Sequence, residues 1–164
     1  MTDYRIAELP LAGGFLGIAP MPGRGGAYAS DLNVILRWGA SMVLSMTPIR
    51  ELQNCKADGL GGDLAVAGVV WHHLPVADFG APDDAVAMQW RAVSSEALTL
   101  LGEGGRVFVH CYGGCGRAGM AALRLMVEAG ETPPDALLRL RAARPCAVQT
   151  EAQYGWAAAG NILM

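Results

Sequence analysis

Short apolar runs alternate with longer amphipathic stretches along this chain, and turn residues separate them. Residues 15–19, 42–46, 69–74 and 106–110 are brief and apolar and end at Pro, Gly or polar residues. Each predicts a strand. Between them the hydrophobic period lengthens. Val86, Trp90, Val93, Ala97 and Leu101 fall on one stripe and predict a helix over 84–101 that stops at Gly102. Met120, Leu123, Leu125, Met126 and Val127 predict another, ending at Gly130. Ser30 or Asp31 would cap a helix reaching Trp38, with Gly39 as its stop. Thr47-Pro48 opens a further helix, with Thr as cap and Pro in the first turn. A short helix is expected near 63–67. Thr132-Pro133-Pro134-Asp135 starts a helix that Pro145 ends, and Thr150-Glu151-Ala152-Gln153 is a capping box for a last one stopping near Gly160.

Strands alternating with helices imply an α/β fold. We expect a single domain over 1–164, with a central, mainly parallel sheet of four to five strands flanked by helices on both faces. Residues 1–12 read as a short N-terminal extension. The 164 residues suit one domain, and a 52% hydrophobic content argues against disorder. The net charge of −3 without a basic stripe argues against nucleic-acid and anionic-membrane partners. No signal peptide or membrane-length apolar run stands out, so a cytoplasmic location is expected. Four cysteines are too few and too scattered to suggest a disulfide framework. Cys55 and Cys146 read as buried small hydrophobes. Lys56 is the only lysine beside eleven arginines, which, with the abundant Ala and Gly, suggests a GC-rich bacterial genome.

The candidate chemistry lies where the fourth predicted strand ends. Val107-Phe108-Val109-His110 runs straight into Cys111-Tyr112-Gly113-Gly114-Cys115-Gly116-Arg117, and helical spacing begins after Arg117. A tight glycine loop at a helix N-terminus can aim successive backbone N–H groups at one anion. Arg117 can add two parallel charge-assisted bonds to phosphate oxygens. The same positive field would favour a thiolate at Cys111, the reactive form of a cysteine. No Gly-Lys-Ser/Thr of a P-loop and no GxGxxG of a dinucleotide site is present. In parallel sheets ligands gather beyond the carboxyl ends of the strands, and Cys111 lies just past one.

The string His110-Cys111-x5-Arg117 resembles the signature loop of the cysteine-dependent protein phosphatases, particularly the dual-specificity type. His72-His73-Leu74-Pro75-Val76-Ala77-Asp78, followed by Pro82-Asp83, is similar to that group's general-acid loop. Residues 138–153, with Arg144 and Ala147-Val148-Gln149-Thr150, are similar to its C-terminal portion. The likeness extends over about residues 13 to 160 and points most of all to the cyclin-dependent kinase inhibitor 3 (kinase-associated phosphatase) group, here in a bacterial member.

The resemblance implies that Cys111 attacks phosphorus and forms a cysteinyl-phosphate. Tyr112, Gly113, Gly114, Cys115, Gly116 and Arg117 would bind the phosphoryl oxygens, and Asp78 would serve as general acid and then base. His110 would order the loop. No metal or other cofactor is implied, because arginine and backbone dipoles supply the positive field. The expected substrate is a phosphorylated protein or peptide. Lysines are absent from the loop, which makes a phosphoinositide substrate less suited. Asp83 and Asp84 rival Asp78, but helix capping accounts for them. His72 and His73 read as structural, a zinc site on His110, Cys111 and Cys115 is disfavoured, and Gln153 reads first as a capping residue.

Two positions depart from the ordinary. Ala118 stands where the family usually has Ser or Thr, a hydroxyl that would help the thiolate leave, so breakdown of the phosphoenzyme should be slowed. Cys115 is either a small wall residue or a resolving thiol for Cys111. The competing readings are a phosphoprotein-binding module with little turnover and, more remotely, a sulfurtransferase.

Overall fold

The computed structural model describes residues 3–160. A five-stranded sheet forms the centre, in the order β1-β2-β5-β3-β4. Its strands are β1 (Ala7–Leu11), β2 (Gly14–Ala19), β3 (Met42–Ser45), β4 (Val70–His73) and β5 (Arg106–His110). The four inner and far-edge strands β2, β5, β3 and β4 run parallel, and β1 pairs antiparallel with β2. Seven helices complete the described residues: α1 (Tyr28–Trp38), α2 (Ile49–Asn54), α3 (Leu60–Val66), α4 (Asp84–Gly102), α5 (Gly116–Glu128), α6 (Pro133–Ala143) and α7 (Glu151–Ala158).

The N-terminal segment is more than an extension. Ala7-Glu8-Leu9-Pro10-Leu11 buries Leu9 and Leu11 and exposes Glu8 and Pro10, the two-residue period of a half-buried strand. Pro10 lacks an N–H, and an edge strand tolerates that.

The sheet's alternation builds two cores. Met42 and Leu44 of β3, with Val107 and Val109 of β5, pack on one face against Trp90 and Ala97 of α4, Leu123 of α5, Leu140 of α6 and Ala157 of α7. Val43 and Phe108 point the other way, toward Ile35 of α1, Leu52 of α2 and Leu60 and Leu64 of α3. Phe108 is fully buried, and burial of a side chain that size contributes about 1.5–3 kcal/mol.

Two helix starts differ from expectation. The N-cap of α1 is Ala27, so the helix begins a turn before Asp31. Asp31 instead reaches back from the first turn, and its Oδ2 accepts from the Gly23 N–H at 2.8 Å. The N-cap of α2 is Pro48, with Thr47 buried before it. Two caps match: Asp83 accepts from the Val86 N–H at the start of α4, and Thr150 and Gln153 form the capping box of α7. Because β2, β5, β3 and β4 are parallel, the segments after all four open on one edge of the sheet. That edge carries the site.

Candidate active site

Cys111 directly follows β5 and is 2% exposed. The loop after it is turned inside out, with each carbonyl from Cys111 to Cys115 held by a donor. The Cys111 oxygen accepts from His110 Nδ1 at 3.2 Å, and the Tyr112 oxygen from the Met21 N–H at 3.1 Å. Arg144 donates Nη2 to the Gly113 oxygen at 3.0 Å and Nε to the Gly114 oxygen at 2.9 Å. The Cys115 oxygen accepts from the N–H groups of Gly119 and Val148. Among the described residues, no N–H from 112 to 118 has a partner. With the carbonyls drawn outward, these N–H groups form a nest at the N-terminus of α5. Gly114 makes the turn possible. Its φ is +71°, and an added Cβ would collide with the backbone of Ala19 and Pro20.

His110 is fully buried, and burial is the main force that lowers its pKa to about 4. The imidazole is therefore neutral and carries one proton. A carbonyl only accepts, so Nδ1–H donates to Cys111 and Nε2 accepts. Ser45 Oγ lies 2.6 Å from Nε2 and can supply that proton, while Trp71 Nε1–H donates to Ser45 Oγ at 2.8 Å. A chain from β4 through β3 thus fixes the residue before Cys111. His72 meets Glu96 at 3.2 Å, and His73 bonds the Thr47 carbonyl at 2.6 Å.

Arg117 is 2% exposed and held in place by carboxylates. Glu51 of α2 takes Nη1 and Nη2, each at 2.9 Å, and the Val76 carbonyl takes Nη1 as well. Asp78 Oδ1 lies 3.4 Å from Nη2. Burial works against the guanidinium charge, but the hydrogen bond to Glu51 and the nearby Cys111 and Asp78 outweigh it and hold the pKa above its ordinary value. Arg117 Nε is buried without a partner among the described residues. One donor of the fork is therefore not spent on the protein.

Asp78 lies on the loop between β4 and α4 with 58% of its side chain exposed. The loop is latched to α7: Thr150 Oγ1 donates to the Phe79 carbonyl and Gln153 Nε2 to the Gly80 carbonyl, both at 3.2 Å. Gln153 Oε1 meanwhile accepts from the N–H groups of Gln149 and Thr150. Gln153 is therefore both cap and latch. Asp83 is spent on capping α4, so Asp78 is the loop carboxylate that meets Arg117. A cavity of about 260 Å3 collects Cys111, Tyr112, Gly113, Cys115, Gly116 and Arg117 with Asp78 and Phe79. Ala118 is fully buried in the first turn of α5.

The cysteines differ from expectation. Cys115 is disulfide-bonded to Cys146, with Cα atoms 5.1 Å apart and a sequence separation of 31. Cys115 is thus neither an unbonded wall residue nor a partner of Cys111, and Cys146 is exposed rather than a buried hydrophobe. The chain returning from α6 brings the pair together. Cys111 stays a free thiol. Sequence reasoning also passed over Glu51 and gave Arg144 no role. One signal was available for Glu51: it lies in the first turn after β3, a neighbour of β5, at the carboxyl edge.

Comparison with known proteins identifies the family and the fold. The family model for cyclin-dependent kinase inhibitor 3 matches residues 29–137. Cyclin-dependent kinase inhibitor 3 of Mus musculus is 30% identical over 168 residues, covering 94% of this chain and 77% of the relative. The Homo sapiens protein of that name is 36% identical over 109 residues, covering 65% of this chain and 50% of its own length. A crystal structure of kinase-associated phosphatase, its catalytic-site cysteine replaced by serine, superposes with a TM-score of 0.83 at 26% identity, covering 97% of this chain and 94% of that one. The chain belongs to the cyclin-dependent kinase inhibitor 3 family, within the dual-specificity protein phosphatases.

Proposed function

We propose that this protein hydrolyses phosphomonoesters on proteins, without a metal, through a cysteinyl-phosphate. The observation that carries the reading is the convergence of a buried free thiol, the unpartnered Arg117 Nε and the inward N–H groups of the loop. Donors placed in advance where charge is shared in the transition state need no rearrangement as it forms. The Cys111 thiolate attacks phosphorus, the ester P–O bond breaks, and Asp78 protonates the departing oxygen. Asp78 then takes a proton from water. That water attacks the phosphorus, the S–P bond breaks, and inorganic phosphate leaves with the thiolate restored. Proton transfer of this kind typically contributes about 10²–10⁴ in rate.

The side chains of residues 112–116 carry no charge, which suits a phosphoprotein better than a polyanionic lipid headgroup. Ala118 offers no hydroxyl to the departing thiolate, so breakdown of the intermediate is the slower half-reaction. The test is para-nitrophenyl phosphate hydrolysis in EDTA. Activity should survive the chelator, vanish in Cys111→Ser, and show a product burst that Ala118→Ser removes. Turnover retained by Cys111→Ser would refute the mechanism. Tight phosphopeptide binding without any hydrolysis would favour a binding module instead.

A further inference from the structure

Two exposed arginines beside the phosphate pocket have side chains without an ion pair among the described residues. Arg24 follows β2, and its guanidinium carbon stands 4.8 Å from the centroid of the Tyr112 ring. That contact uses the face of the guanidinium and leaves its N–H edges to other acceptors. Arg5 precedes β1 and makes no side-chain hydrogen bond to any described residue. Both line a second cavity of about 520 Å3. Arg24 also lines the phosphate pocket, so the two spaces meet at its side chain.

The charges of this second cavity run against the rest of the molecule. It carries three guanidiniums, Arg5, Arg24 and Arg144, against Asp3 and Asp31, in a chain of net charge −3. Asp31 is buried and holds the Gly23 N–H, a structural task. The spacing between Arg24 and the nucleophile is set by backbone. The Met21 N–H bonds the Tyr112 carbonyl, and Gly114 packs directly on Ala19 and Pro20. The sheet order adds a direction. Arg24 approaches from the β2 side of β5, and Asp78 from the β3-β4 side. An anion beside the phosphoryl group is thus attracted on one flank and repelled on the other.

The geometry points to an anion subsite, formed by Arg24 and Arg5, that takes a second negative group of the substrate, a carboxylate or a second phosphate, while its phosphoryl group lies over Cys111. This rests on the phosphatase reading and narrows its substrates to phosphopeptides with an acidic or doubly phosphorylated flank. Because both arginines are exposed, each contributes modestly and in a salt-dependent way.

The experiment uses the Cys111→Ser protein and fluorescent phosphopeptides with neutral flanks, with flanking glutamates, or with a neighbouring second phosphate. Each is made with phosphotyrosine and with phosphothreonine, and affinity is read by anisotropy at low and raised salt. The anionic peptides should bind about five- to tenfold tighter than the neutral one. That advantage should shrink with salt, fall in Arg24→Ala and Arg5→Ala, and vanish in the double variant. The order of the glutamate and second-phosphate peptides tells which anion is preferred. Equal affinity for all three, no binding, or an advantage that survives the double variant overturns the subsite. Para-nitrophenyl phosphate hydrolysis by the unaltered protein separates the two ideas. If it proceeds while the peptides bind alike, only the subsite falls. If it is absent while the arginines still select anionic peptides, the subsite stands and the phosphatase reading falls.

Discussion

Glu51 touches no substrate in the proposed reaction, yet it orients Arg117. Its two oxygens hold both terminal nitrogens of Arg117, which turns the guanidinium so that Nε is left over. Glu51→Gln removes the charge and one acceptor from a partly buried pair. It should cost about 1–3 kcal/mol of stability and, by misplacing Arg117, about tenfold or more in kcat/KM. Thermal melts and steady-state kinetics on phosphopeptides check this, and an unchanged kcat/KM would remove Glu51 from the mechanism. His110 makes a second residue-level prediction. Its pKa is lowered from 6.5 to about 4 by burial, so below about pH 6.5 the unfolded chain binds a proton that the folded chain refuses. The stability its neutral form provides is complete above pH 6.5 and is lost as pH falls to about 4, by about 3 kcal/mol. Urea titrations across that window should show the loss, and His110→Gln should flatten it.

At the level of elements, α7 and the loop that carries Asp78 form one unit. Gln153 spends its oxygen on the start of α7 and its nitrogen on the Gly80 carbonyl. Phe79, beside Asp78, has a φ of +62°, a conformation that costs a non-glycine residue about 1–2 kcal/mol and that the latch helps to hold. Gln153→Ala should release the loop, so kcat should fall and the dependence of kcat/KM on leaving-group pKa should steepen, while inorganic phosphate binds as before. A flat dependence in the variant would place the loop's anchor elsewhere. The four parallel strands and the capping box of α7 were legible because period and turn chemistry are local signals. The strand at Ala7–Leu11 was not, because only two of its residues face the core and Pro10 interrupts the pattern. Glu51, Arg144 and Arg24 were illegible for another reason. Each acts across the sheet edge, and an isolated charged residue in a sequence reads as solvated surface.

For the molecule as a whole, the disulfide is the least expected feature. Cysteines 31 residues apart give no local cue, and only the return of the chain after α6 makes them neighbours. Closing a loop of that length stabilises a fold by about 3–4 kcal/mol through the unfolded chain. Cys146→Ser should therefore lower Tm by about 10 °C in a chain of this size. Reductant should bring the unaltered protein to the same Tm and leave the variant unmoved. A variant as stable as its parent would mean that Arg144 alone secures the loop.

The outward-held carbonyls carry a consequence for descent. In the proposed mechanism the main chain grips the phosphoryl group, so the loop side chains are under unequal steric constraint. Gly114 is closed to change, since a Cβ there would strike the backbone of Ala19 and Pro20, and one on Gly116 would press on the side-chain ends of Gln149 and Gln153, whereas Gly113 opens on free space and Tyr112 is exposed. Under that mechanism a lineage could rewrite positions 112 and 113, and with them its taste in substrates, while inheriting the chemistry intact.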